Sequence, residues 1–258
     1  MREDEIELFL EYTLDICRKM VECGAEARRV ESTAAYLTSA YNLELRCANA
    51  MNAMVEISVK SPSGHHYTQA ARVMMTGTDL GKLERLNDLA RKICSVHPDV
   101  ETIGHWIETE KQFTYPVWVE FIGYLTMTFG FTLFFGGNVM DGIASALISI
   151  VVFALNMLLN HFIQASQNKL FYTFFACFLS GCLALALVRF GIGVHPDKVM
   201  IGDVMMFIPG LNIVNGVREL FYRDIITGLY RLIEALMLAV AITAGFAIAI
   251  LAFGGALV

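Results

Sequence analysis

The sequence predicts an α-helical polytopic membrane protein of about five transmembrane helices, one broken at a Pro-Gly pair, preceded by a small cytosolic α+β domain. Three observations carry that class. The 258 residues are 56% hydrophobic and only 17% charged, against roughly 25% charged in an average soluble domain. The charge is unevenly placed: residues 1–115 hold 13 Lys/Arg and 18 Asp/Glu, leaving 6 and 7 for residues 116–258. A polar head (1–115) therefore precedes a membrane body (116–258). Finally, the apolar run from Ile201 to Gly245 is interrupted by Ile208-Pro209-Gly210 and carries Asn212, Asn215, Arg218 and Glu219. Such groups are tolerated at bilayer depth only where protein or water satisfies them.

Within the head, Ile6, Phe9, Leu10, Leu14, Cys17 and Val21 recur at three and four and mark one face of an amphipathic helix that Gly24 ends. A second helix from about Ala25 to Tyr41 turns Val30, Ala34, Leu37 and Tyr41 inward, giving a helical hairpin. The pattern then changes to alternation. Leu43, Leu45 and Cys47, then Met54 to Lys60, then Tyr67 to Met75 after the turn Ser61-Pro62-Ser63-Gly64, read as a three-stranded antiparallel meander. Leu80, Leu83, Leu86, Leu89 and Ile93 mark a helix from Asp79 to Val96, and Pro98 opens a last one through about Lys111. The chain begins Met1-Arg2-Glu3-Asp4-Glu5-Ile6-Glu7, without the basic start and apolar run of a secretory signal, so the head is expected in the cytoplasm.

Chemistry in the head finds little support. His97, Glu101 and His105 fall at i, i+4 and i+8, but Pro98 places His97 at a helix cap rather than on that face. No H-E-x-x-H, P-loop, G-x-S-x-G or G-x-G-x-x-G occurs. The six cysteines show no C-x-x-C pair and read as free thiols in a reducing compartment. A head of net charge −5 also argues against nucleic acid. No catalytic residue, metal site or cofactor is assigned, and the protein is not expected to be an enzyme.

In the body five apolar segments approach the roughly 20 residues a span requires: 116–135, 138–159, 170–188, 199–217 and 235–253. The first two are joined by Gly136-Gly137-Asn138, which allows only a hairpin. Lys169, Arg218, Arg223 and Arg231 fall in or beside inner loops, and Arg189 and Lys198 in outer ones, a weak positive-inside bias that agrees with a cytoplasmic head. Segment four either spans or, because of its break, is re-entrant. Glu120 and Asp141 lie close enough to segment ends to reach headgroups, and Asn156 and Asn160 share a face that either holds helices together or lines a path.

Asn212, Asn215 and Glu219 share one face of the half-helix after the break. Its N-terminal amides at Gly210 suit a carboxylate, and Arg218 can grip one through two parallel hydrogen bonds. Pro209, Gly210, Asn212, Asn215, Arg218 and Glu219 are therefore the expected substrate-binding set. Asp203, about two turns before the break, is either the acid that couples transport to a proton gradient or a capping and pairing group within the bundle. The last apolar stretch, from Ile225 to Val258, would run about 51 Å as one helix, so Arg231 and Glu234 are expected at the cytoplasmic edge with Gly228, as packing or gate residues.

The head motif Gly24-Ala25-Glu26-Ala27-Arg28-Arg29-Val30-Glu31, with Ile208-Pro209-Gly210, Asn215-Gly216, Asp224, Gly228-Leu229 and Arg231-Leu232-Ile233-Glu234-Ala235, resembles the threonine/serine exporter family, most of all its half-size, YjjP-type members. Where that family tends to have Gly-Asp before the final helix, this chain has Tyr222-Arg223-Asp224. The resemblance implies a multi-pass protein of the bacterial inner membrane. It implies proton-driven export of threonine and serine or of a dicarboxylate such as succinate, and a second small five-span subunit that completes the transporter. Self-association into a homo-oligomer stays open. The competing reading is a membrane-anchored sensor or scaffold whose head binds a ligand; a membrane-embedded hydrolase ranks third.

Overall fold

A computed structural model describes residues 2–74, 77–109, 115–162 and 169–253, with side chains of the third stretch described through 158. The expected strand end at Met75, the helix end at Lys111 and the Asn160 side chain lie outside the described residues. The chain divides into two compact units, Met1–Thr114 with Asn215–Tyr230, and Tyr115–Val214 with Arg231–Val258. Residues 215–230 thus cluster with the head.

In the first unit α1 (Glu3–Glu22) and α2 (Ala27–Ala40) form a hairpin. Gly24 closes it at φ +88°, and a Cβ there would stand 2.7 Å from the Gly77 carbonyl oxygen, so only glycine fits. Strands β1 (Glu44–Met51), β2 (Met54–Lys60) and β3 (His66–Arg72) make an antiparallel sheet in the order β1-β2-β3. The central strand buries Val55, Ile57 and Val59 among Phe9, Leu10, Met20 and Leu37. A bulge between Leu45 and Cys47 breaks the alternation of β1. Leu43 and Leu45 point inward as expected, but Cys47 is exposed and Ala50 takes the next buried place, because one extra residue moves every later side chain to the other face. Helices α3 (Leu80–Val96) and α4 (Val100–Thr109) complete this core with Leu86, Ile93 and Ile103. His97 caps α3 in the left-handed conformation, φ +52°, off the face of α4.

The second unit holds α5 (Val117–Phe134), α6 (Val139–Phe162), α7 (Lys169–Arg189), α8 (Pro196–Val204), the start of α9 (Gly210–Phe221) and most of α10 (Ile225–Phe253). Among the described residues, four helices are long and apolar enough to cross a membrane: Val117–Phe134, Val139–Leu158, Lys169–Arg189 and Ile225–Phe253. The fourth expected segment is instead two short helices, α8 of 9 residues and α9 of 12. Each falls short of the roughly 20 residues that a span needs.

Small residues bring these helices close. A Cβ on Gly245 would lie 2.6 Å from the Phe174 carbonyl, and one on Gly181 2.7 Å from Ala249, so α7 and α10 meet almost backbone to backbone. Thr128 and Thr132 are the buried residues of α5, opposite Gly202 of α8. Asp141 does not reach outward to headgroups. It is fully buried, and its carboxylate accepts hydrogen bonds from the backbone of Asn138 (2.9 Å), Val194 (2.6 Å) and His195 (2.9 Å), fixing the loop before α8.

Candidate functional site

The break is built from the sequence outward. Helix α8 ends at Val204, and the Met206 and Phe207 amides donate back to Asp203 and Val204 carbonyls in a tight turn. Pro209 cannot donate, but its carbonyl accepts from Ile213 at 3.1 Å and so starts α9. The amides of Leu211 and Asn212, in the first turn, have no partner within the helix. Leu211, Ile213, Val214, Val217 and Phe221 are exposed while Glu219 is 3% exposed. The exposed face of α9 is thus mostly apolar, and its buried carboxylate lies on the face that meets the head motif.

In the second unit Asp203 is fully buried. Its Oδ1 accepts a hydrogen bond from the Ser145 hydroxyl at 2.5 Å, and its Oδ2 has no partner among the described residues. Asn212 donates to Glu234 at 3.4 Å, and the Lys169 ammonium stands 3.9 Å from the other Glu234 oxygen. A residue expected to bind substrate and one expected at the gate are thus neighbours. Arg231 is 4% exposed, buried rather than extended to water.

The remaining expected residues belong to the first unit, on the head motif 24–31. Asn215 donates to the Gly24 carbonyl at 3.4 Å, and Arg218 forms an ion pair with Glu26. Glu219 accepts from the Ala27 amide at 3.3 Å. Glu26 is the N-cap of α2 but makes no side-chain cap bond, so Glu219 supplies the carboxylate that the positive end of α2 favours. The half-exposed Arg218–Glu26 pair contributes at most about 1 kcal/mol. The buried Glu219 contact weighs more, because losing it strands an amide. The Arg28 guanidinium lies over the Tyr222 ring, 4.6 Å from its centre.

The turn between α9 and α10 explains the departure at Tyr222-Arg223-Asp224. The Asp224 amide donates to Glu219 and the Arg223 amide to Leu220, the paired bonds of a Schellman cap, which places Arg223 in the left-handed conformation at φ +66°. Asp224 then caps α10 by accepting from Thr227 at 3.2 Å. Gly228 lets α10 start against α9: a Cβ there would meet the Gly216 carbonyl at 2.8 Å. Arg28, Glu31, Glu219, Tyr222, Arg223 and Asp224 surround a cavity of about 450 Å³ that offers both signs of charge.

Ser145, Lys169, Glu26 and Arg28 escaped the expected site. Ser145 had a signal, since Asp141, Ser145 and Ser149 recur at four and give α6 a polar face that is buried throughout. The partners of Asn215, Arg218 and Glu219 lie about 190 residues away in sequence, beyond any local pattern.

The chain matches the family model ThrE, described as "Putative threonine/serine exporter", over residues 11–253. A curated protein of Mycobacterium tuberculosis (strain ATCC 25618 / H37Rv), named "Probable threonine/serine exporter", is 22% identical over 244 residues. The alignment covers 93% of this chain and 45% of that protein, so this chain spans about half the length of its relative. No solved structure matches it.

Proposed function

Since this chain belongs to the threonine/serine exporter family, we propose that it forms one module of a secondary active exporter that moves threonine and serine out of the cell. The observation that carries the reading is the broken α8–α9 element: α8 buries Asp203 against α6, among helices long and apolar enough to span a membrane, and α9 opens after Pro209-Gly210 with first-turn amides that have no partner within the helix. A protein that only anchors a sensor head has no use for such a break. The protein acts as a carrier in the inner membrane, with the head in the cytoplasm.

Threonine and serine each present an ammonium and a carboxylate. The cavity beside Arg28, Glu31, Arg223 and Asp224 suits such a zwitterion on arrival. The carboxylate then meets the open amides after Pro209 and Gly210, with Asn212 beside them. Asn215, Arg218 and Glu219 tie α9 to the head motif, Gly228 lets α10 start against α9, and Glu234 meets Asn212 in the second unit. Asp203, a buried carboxyl with a single donor, takes up and releases the coupling proton. A second membrane module, on a continuation of this chain or on a separate one, completes the path.

Efflux of labelled threonine, serine and succinate from cells producing both modules tests the reading. Gradient-dependent loss of label is expected for threonine and serine. Export of succinate alone would move the assignment to a dicarboxylate carrier, and export of none of the three would overturn it.

A further inference from the structure

A second cavity lies within the first unit, between α2 and α3, with a volume of about 710 Å³. That is within the range of small-molecule sites, about 300–1,000 Å³. Arg29 and Tyr36 of α2 face it, with Asn87 and Arg91 of α3 and His97 just beyond. None of its lining residues is acidic, although the head as a whole carries net charge −5.

Two arginines without an anionic partner among the described residues meet at this groove, whereas several others in the head are paired. Arg2 pairs with Glu5, Arg18 with Asp15 and Glu22, and Arg46 with Glu44. Arg29 and Arg91 are exposed, and neither has an ion pair or side-chain hydrogen bond among the described residues. The Ser32, Thr33 and Ser95 hydroxyls donate to carbonyls of their own helices, so they shape the walls and leave the cations unmatched. Tyr36 is 72% exposed at the same groove, a flat face on which a ring can stack. Tyr41 fixes the far end by donating to the Pro98 carbonyl at 2.7 Å, beside the His97 ring.

Two guanidinium forks in a groove lined by no acidic residue match the geometry of carboxylates and phosphates, each held by two parallel hydrogen bonds. We propose that the α2–α3 groove binds a small metabolite with at least two anionic groups, clamped by Arg29 and Arg91, at a site separate from the one that receives the exported substrate. Occupancy has a route to the rest of the unit. Arg29 lies two residues from Ala27, whose amide holds Glu219, so a ligand that stiffens the first turn of α2 also stiffens the seat of α9. The groove is then a place where metabolic state adjusts the carrier.

Calorimetric titration of the full chain in nanodiscs tests this, with citrate and ADP as probes, serine as the zwitterionic control, and ionic strength matched with sodium chloride. Saturable binding of at least one anion is expected, with none by serine at this groove. Losing one bidentate contact should weaken it roughly tenfold, so Arg29→Gln with Arg91→Gln should abolish measurable binding. Arg29→Lys with Arg91→Lys should retain part of it, and Arg46→Gln, outside the groove, should leave it intact. If ADP binds, Tyr36→Ala should weaken ADP and spare citrate. Absence of saturable binding by both anions overturns the proposal, as does equal binding by wild type and the double Gln variant. Binding of polyglutamate but of neither small anion also overturns it, in favour of an acidic protein partner.

Discussion

Arg223 pays for its place in the turn between α9 and α10, because a left-handed residue with a Cβ costs roughly 1–2 kcal/mol. Part of any gain from glycine is lost to its greater freedom in the unfolded chain. Arg223→Gly is therefore expected to raise stability by about 0.5–1 kcal/mol, read as a higher midpoint of thermal unfolding in detergent; a lower midpoint would show that the Arg223 side chain outweighs the strain. Glu31 makes a second test at this scale. Burial, with Asp224 nearby, pushes its carboxyl above the ordinary range, against the Ala50 amide that donates to it at 3.3 Å. A raised folded value means that the carboxyl favours folding only while protonated, below about pH 4, and that this stability is lost as pH rises through the folded value. Glu31→Gln should thus be more stable than wild type at pH 7 and equal to it near pH 4; a difference that does not change with pH would exclude the mechanism. What was legible locally was the spacing that puts Asn212, Asn215 and Glu219 on one face of α9. Their partners were not, since contacts between residues 24–27 and 215–219 leave no local pattern.

At the scale of elements, the head reads well because its periods are clean: α1, α2 and α3 follow the three-and-four spacing and β2 alternates without fault. The fault in β1 is a bulge, which hydrophobic spacing alone does not announce. In the membrane body, hydropathy marks where apolar helices lie, but not that 199–217 divides into α8 and α9, whose summed length resembles a span. Pro209-Gly210 marked the end of that division, while the turn of Met205 to Ile208 before it carries no breaker of its own. The close seat of α10 on α9 gives a measurable consequence. Gly228→Ala puts a methyl 2.8 Å from the Gly216 carbonyl and 2.9 Å from Leu220, so one helix must move, at a cost of about 1–3 kcal/mol. Gly123→Ala in α5 meets nothing within 4 Å and should stay within about 0.5 kcal/mol of wild type. Equal midpoints for the two variants in thermal unfolding would mean that the α9–α10 seat yields freely.

For the whole molecule, the proposed export requires that something couple it to an energy source, and among the described residues of the second unit Asp203 is a buried carboxyl without a full set of partners. Asp141, equally buried, receives three backbone donors and is spent on holding a loop. Asp203 has only the Ser145 hydroxyl on one oxygen, so its protonation can change without dismantling a hydrogen-bond network. Asn fills the same space and still accepts from Ser145 through its carbonyl oxygen, but it cannot take up or release a proton at working pH. Asp203→Asn should therefore insert and fold as wild type does, by thermal midpoint, while export from vesicles loses its dependence on an imposed pH gradient. Ser145→Ala removes the donor and keeps the acid, so it should shift the pH at which export is half-maximal and preserve the dependence itself. Full gradient-driven export by Asp203→Asn would reduce Asp203 to a packing residue and move the search for the coupling group to Glu234, whose carboxylate meets Asn212 and Lys169 in the same unit.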